Sequence, residues 1–177
     1  MEEGGNTGRI ERHGLIVKAI RPLLFDLQAI VAWAHGEVPA AVIHRVREGH
    51  GVHVSSVSPW EFLLKKNRQS FGIDYHQLLQ TIKLMRAQLL PLKEDHLDRL
   101  QTLIVVKDTK GKPHNDPFDR LLIAQALKED FVLVGADHMF PIYQRELPLK
   151  LLWEVYSPRS TRESSPQAGR LYPHCSV

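Results

Sequence analysis

Cysteine is almost missing from this chain: Cys175 is the only one among 177 residues. Neither a disulfide framework nor a thiolate zinc site can therefore form within one chain, which suits a reducing compartment. No apolar run approaches the ~20 residues a membrane helix needs. The opening Met1-Glu2-Glu3-Gly4-Gly5-Asn6 is acidic and has no apolar core, so no secretory leader is expected. There is no Gly-rich phosphate loop, and Ser55, Ser56 and Ser58 stand outside any Gly-x-Ser-x-Gly elbow. Ten histidines are present, yet none has the i, i+4 spacing with an intervening Glu that marks a helical zinc pair. These absences argue against secreted, membrane, serine-hydrolase and nucleotide-loop classes. They predict a soluble, cytoplasmic protein with no membrane association.

What is present fits one domain with a substantial core: 43% hydrophobic and 24% charged residues. The net charge of +3 permits a nucleic-acid or acidic-protein partner without demanding one, because no polybasic block accompanies it. Residues 1–20 form a polar lead-in, and residues 157–177, rich in Ser, Arg, Pro and Gly, are expected to be a disordered tail. Between them lies a domain over 21–156.

Within that domain, Arg21 to Asp26 reads as a short buried strand and Ala29 to Ala34 as a helix broken at Gly36. Pro39 to Glu48 suits a helix stopped by Gly49, and Val52 to Ser55 a second strand. Ser58 as cap, Pro59 at the first helical position and Glu61 three residues after the cap mark another helix start. Leu78, Leu79, Ile82, Met85 and Leu89 share one helical spacing, predicting a single helix over 75–90. Leu97, Leu100 and Ile104 suggest a further helix. A polar loop over 107–115, a helix from Pro117, a strand over 131–135 and an apolar run over 149–153 complete the body. Strands alternating with helices predict an α/β layer fold with a mostly parallel sheet.

In such a sheet, functional groups gather outside the carboxyl ends of the strands. Asp26 closes the first strand, Asp137 follows the strand over 131–135, and Glu61 and Asp119 each occupy the first turn of a helix. Taken singly, Glu61, Asp116 and Asp119 are as well explained by the positive helix end as by ligation. Asp26 and Asp137 show no capping duty in the sequence. Together the acids point to a divalent-metal site, because carboxylates 4 Å apart repel by roughly 4 kcal/mol at an effective dielectric near 20. Oxygen-only ligands favour Mg2+ or Mn2+, and such ions activate water in phosphodiester hydrolysis. His114 and His138 read as surface residues, and Lys65, Lys66 and Arg68 as a solvated helix face.

The segment Asn115-Asp116-Pro117-Phe118-Asp119-Arg120-Leu121-Leu122-Ile123-Ala124-Gln125-Ala126 resembles the signature of PIN-domain nucleases, in the subgroup of toxins from VapBC-type toxin–antitoxin pairs. Ser58-Pro59-Trp60-Glu61 with Lys65, Leu23-Leu24-Phe25-Asp26, and Leu133-Val134-Gly135-Ala136-Asp137 with Phe140 and Tyr143 resemble three further motifs of that subgroup, in order. The resemblance implies a three-layer α/β/α sandwich and Mg2+- or Mn2+-dependent ribonuclease activity on RNA. It also implies a homodimer and inhibition by a cognate antitoxin. Carried over by motif, the catalytic and metal-binding acids are Asp26, Glu61, Asp119 and Asp137, with Asp116 as accessory. Two departures stand out: Leu27-Gln28 replaces Thr-His after the first acid, and Gly135 replaces Thr in the last motif. They motivate an alternative, a catalytically weak or inactive PIN module that binds RNA or a protein. For the antitoxin, an arginine or lysine placed near Asp26 and Asp119 is expected, with its peptide packed near Ile30, Trp33 and Val42.

Overall fold

The computed structural model describes residues 21–68 and 70–153. The polar lead-in over 1–20 and the tail over 157–177, with Cys175, lie outside the described residues. The elements run in the order β1 (Leu23–Phe25), α1 (Leu27–His35), α2 (Ala40–Arg47), β2 (Val52–Ser55), α3 (Ser58–Lys65), α4 (Tyr75–Leu84), β3 (Gln88–Leu90), α5 (Glu94–Gln101), α6 (Pro117–Lys128), β4 (Val132–Val134), α7 (Phe140–Glu146) and β5 (Lys150–Leu151). The sheet has five strands in the order β3-β2-β1-β4-β5, and every pairing is parallel.

Strand alternation divides the apolar residues between two cores. Leu23, Phe25, Val52, Val54 and Val134 point to one face, where they pack with Ile30, Val42, Phe62, Leu78 and Ile82 of α1 to α4. Leu24 and Leu133 point to the other, against Leu122, Ile123 and Ala126 of α6 and Phe140 and Tyr143 of α7. β1 is apolar on both faces, as a central parallel strand buried on both sides must be. The result is the three-layer α/β/α sandwich. No helix among the described residues is long and apolar enough to cross a membrane.

Several expectations need correction. Residues 75–90 are not one helix: α4 stops at Leu84, Arg86 takes a left-handed φ of 52°, and Gln88–Leu90 pairs with β2 as an edge strand. Leu89 happens to fit the helical spacing, and three residues are too few to display an alternation. Helix α7 had no periodicity signal in seven residues and was not expected from the residues themselves. The apolar surface proposed around Ile30 and Val42 does not exist, since both are fully buried and Trp33 is packed against the same core. Exposed apolar side chains lie instead on α3, at Trp60, Leu63 and Leu64.

The strand order reverses at β1, whose neighbours β2 and β4 lie on either side. A crevice outside the carboxyl ends of the strands forms at such a point in open parallel sheets. β1 exits there into Asp26 and β4 into Gly135-Ala136-Asp137, with the Asp26 amide donating to the Val134 carbonyl at 2.9 Å.

Candidate active site

Asp26 does have a capping duty, contrary to the reading from sequence. It is the N-cap of α1, its Oδ1 accepting from the Ala29 amide at 2.5 Å. Its residue is only 3% exposed. Room for that buried carboxylate comes from Gly135: a Cβ there would fall 2.6 Å from the Asp26 carboxyl carbon and 2.6 Å from Cε2 of Phe140. A glycine stands at 135 because the Asp26 carboxylate and the Phe140 ring already fill the space. The other departure has a packing reason: Leu27 is buried in the core, while Gln28 is exposed to solvent.

Asp137 also serves its local backbone, with Oδ1 accepting from the Met139 amide at 2.7 Å. The Ser58 cap needs a shift by one residue. Val57 is the N-cap of α3, Ser58 is the first helical residue, and its buried Oγ has no hydrogen-bond partner among the described residues. Glu61, 4% exposed, accepts from Lys65 Nζ at 2.7 Å one turn later, the favourable order for an i, i+4 pair. Lys65 also donates to Asp116 Oδ2 at 3.3 Å, so one ammonium ties α3 to the start of α6 and is not part of a solvated face. Asp116 is the N-cap of α6, as its place before Pro117 predicted, with Oδ1 accepting from the amides of Phe118 at 2.9 Å and Asp119 at 3.3 Å.

The largest revision concerns His114. Its side chain is only 10% exposed, and its Nε2 lies 3.2 Å from Asp119 Oδ2. Its Nδ1 lies 3.3 Å from the hydroxyl of the fully buried Tyr143, which accepts from Arg120 at 3.3 Å. The loop before it is folded on itself. Lys107 and Pro113 form an antiparallel bridge, Asp108 accepts from the amides of Lys110 and Lys112, and the His114 amide donates to Val106. Nothing in the sequence around His114 revealed this, because the contacts join residues 106, 119 and 143. His138, by contrast, is a surface residue, 73% exposed and 3.6 Å from Asp137.

One atom each of His114, Asp119 and Asp137 lie within 4.8 Å of one another, a spacing compatible with ligation of one ion. They open into a cleft of about 420 Å³ that Asp116 also lines. Asp26 and Glu61 do not belong to that ligand-distance set and are nearly fully buried. A wider cleft of about 830 Å³ lies at the opposite end of the strands, where Arg21 and Lys150 are already paired with Asp130.

Electrostatics couple all these acids. Burial is the main cause that raises Asp26 to about 7, with Glu61 and Asp137 adding repulsion against the Ala29 hydrogen bond and the Lys65 charge. Burial likewise raises Asp119 to about 8, reinforced by Asp116, Asp137, Glu61 and Asp26. Glu61 is pushed up by burial and held back by Lys65. Burial lowers His114, so the imidazole favours its neutral form. Burial also opposes the charge on Lys65, but the Glu61 and Asp116 carboxylates outweigh it and the net shift is upward. Five carboxylates, Asp26, Glu61, Asp116, Asp119 and Asp137, gather here, with Lys65 paired to two of them and Lys112 lining the cleft. Carboxylate and imidazole donors are those a hard or borderline divalent cation takes.

Comparison with known proteins follows the same lines. A model of the PIN domain family matches residues 23–146. Among solved structures, VapBC2 from Rickettsia felis, bound to a DNA fragment from its promoter, aligns with a TM-score of 0.53 at 16% identity, covering 75% of this chain and 98% of that one. VapBC-1 from nontypeable Haemophilus influenzae aligns with a TM-score of 0.51 at 19% identity, covering 73% of this chain and 96% of that one. No curated protein matches. The family match spans every acid discussed above, from Asp26 to Asp137, and the likeness to both VapBC structures extends to the fold. The chain belongs to the PIN domain family.

Proposed function

We propose that this protein is a metal-dependent endoribonuclease that hydrolyses RNA phosphodiester bonds and acts as the toxin of a toxin–antitoxin pair. What supports this reading is the mutual repulsion of Asp26, Glu61, Asp119 and Asp137, the acids that follow β1 and β4 and stand in the first turns of α3 and α6, in a PIN domain. Asp119 and Asp137 would hold the cation, with the buried Asp26 and Glu61 supplying negative charge and Asp116 lining the cleft. A bound divalent ion, Mg2+ or Mn2+, supplies an acidified water and stabilises charge on the phosphate. The protein supplies the rest. Asp26 is held by the Ala29 amide, Glu61 and Asp116 are held by Lys65, and Asp119 is held by His114. Each carboxylate is thereby aimed before substrate arrives, which lowers the reorganisation needed during reaction.

Cleavage of labelled RNA by purified protein in Mn2+ is the test. Activity is expected to vanish in chelator and in Asp119→Asn. Cleavage undiminished in Asp119→Asn rules the site out.

The likeness to VapBC2 and VapBC-1 supports an antitoxin as partner. An antitoxin segment with an arginine fits the acidic cleft, since a guanidinium bridges carboxylates in two-pronged fashion. The exposed Trp60, Leu63 and Leu64 on α3 offer the apolar footing that Ile30 and Val42 do not. Co-expression with the product of the adjacent gene is expected to give a complex on size exclusion and to relieve growth inhibition. The second reading, a catalytically weak or inactive module that binds RNA or a protein partner, is favoured by the missing hydroxyl at Gly135. RNA binding without Mn2+-dependent cleavage is its signature.

A further inference from the structure

We propose that His114 is a nitrogen ligand of the metal site, which makes the donor set of this protein His114, Asp119 and Asp137 and not carboxylate alone. The inference rests on the metal-site reading above and adds a ligand to it. Three observations carry it. The first is proximity: one atom from each of the three residues fits within 4.8 Å. The second is that the imidazole is held in place before any ion arrives, by the bridge between Lys107 and Pro113, the Asp108 turn, and the His114 amide bond to Val106.

The third is the partner of the other ring nitrogen. A ligating histidine nearly always hands its second N–H to a fixed acceptor, which sets tautomer and ring orientation. Here Nδ1 faces the Tyr143 hydroxyl at 3.3 Å. Arg120 has only donors to offer, so its 3.3 Å contact uses one lone pair of the Tyr143 oxygen. The guanidinium is itself fixed on the carbonyls of Leu103 and Ile104, both at 3.2 Å. The hydroxyl proton is therefore free to turn. With no ion bound, Tyr143 donates to Nδ1, and Nε2–H donates to Asp119 Oδ2. With an ion bound, Nδ1–H donates to Tyr143 and the Nε2 lone pair faces the metal. In the ion-bound tautomer the Tyr143 oxygen accepts from both Arg120 and Nδ1–H, and the ion replaces Asp119 as the partner of Nε2.

A mixed nitrogen and oxygen set shifts preference from Mg2+ toward borderline ions such as Mn2+ and Co2+. The test is pulsed electron paramagnetic resonance of the full chain loaded with Mn2+, together with titration calorimetry of Mn2+ and Mg2+. A 14N coupling from a directly bound imidazole is expected in the parent and absent in His114→Gln. The glutamine amide keeps a donor toward Asp119 but offers no ring nitrogen, so it separates ligation from mere positioning. Mn2+ affinity is expected to fall at least tenfold in His114→Gln, with a smaller loss for Mg2+. Tyr143→Phe, which keeps the buried ring, is expected to weaken Mn2+ binding about tenfold. Bound Mn2+ with no nitrogen coupling in the parent overturns this inference and leaves the acidic site standing. Absence of Mn2+ binding by the parent overturns the proposed function itself. If His114→Gln fails to fold, the spectrum of the parent still decides.

Discussion

Single residues in this site are chosen for charge and for the space they leave. Asp119 is raised to about 8 by burial among other acids, so at pH 6 it is close to neutral and nearly isosteric with asparagine. Metal-free Asp119→Asn and the parent are therefore expected to melt together at pH 6. At pH 9 the variant should melt higher by about 2–4 °C for each 1 kcal/mol of repulsion removed. Equal melting at both pH values means the carboxylate meets no repulsion. Gly135 is the complementary case, chosen for what it lacks. Gly135→Ala forces a methyl against Asp26 and Phe140, and overpacking of this kind costs about 1–3 kcal/mol. Urea denaturation is expected to show that loss together with weaker Mn2+ binding, since the displaced side chain is the Asp26 carboxylate.

At the level of elements, helix starts carry the site. α1, α3 and α6 begin at the same rim with Asp26, Glu61 and Asp116 in their caps or first turns, where the helix dipole partly offsets burial of negative charge. Asp116 has two tasks, capping α6 and pairing with Lys65, and two substitutions separate them. Asp116→Ala is expected to cost ~1 kcal/mol through the lost cap, whereas Asp116→Asn should stay within a few tenths because asparagine caps as well. Equal destabilisation by both variants in thermal melts would assign the stabilisation to the Lys65 pair. α5 and α6 are joined on the far side by the buried His96, whose Nε2 lies 2.9 Å from Glu129, with Lys93 reaching the same carboxylate at 2.8 Å.

For the whole molecule, the raised acids set how stability varies with pH. Asp26 and Asp119 titrate near 3.8 when unfolded and at about 7 and about 8 when folded. Between those values the native state holds more protons than the unfolded chain, so stability falls as pH rises. Their penalty is absent below the unfolded value and complete above the folded one. Glu129 and Asp130 are shifted down by their cationic neighbours, so their contribution is lost only in acid. Chelator-treated protein is thus expected to melt progressively lower from pH 5 to pH 8. Saturating Mn2+ should stabilise it most at the alkaline end, where the acids it neutralises are already ionised. A metal-free melting temperature that rises across that range contradicts the buried-acid account.

The sequence by itself determined the α/β class and named the candidate acids. Apolar triplets such as Leu23-Leu24-Phe25, the cap before Pro117 and the acids that follow β1 and β4 are local signals, and local signals survive in one dimension. β3 was illegible because three residues of an edge strand carry no period, and Leu89 fell on the helical spacing of α4. Tertiary structure alone decided that Gly135 is the seat of the Asp26 carboxylate, that Lys65 bridges two acids, and that Ile30 and Val42 are core. It also brought His114 to Asp119 and Tyr143. The physical reason is common to all four: each property needs at least one contact between residues far apart in the chain, such as Gly135 with Asp26, Lys65 with Asp116 and His114 with Tyr143, and such contacts exist only once the sheet and its two helical layers have closed.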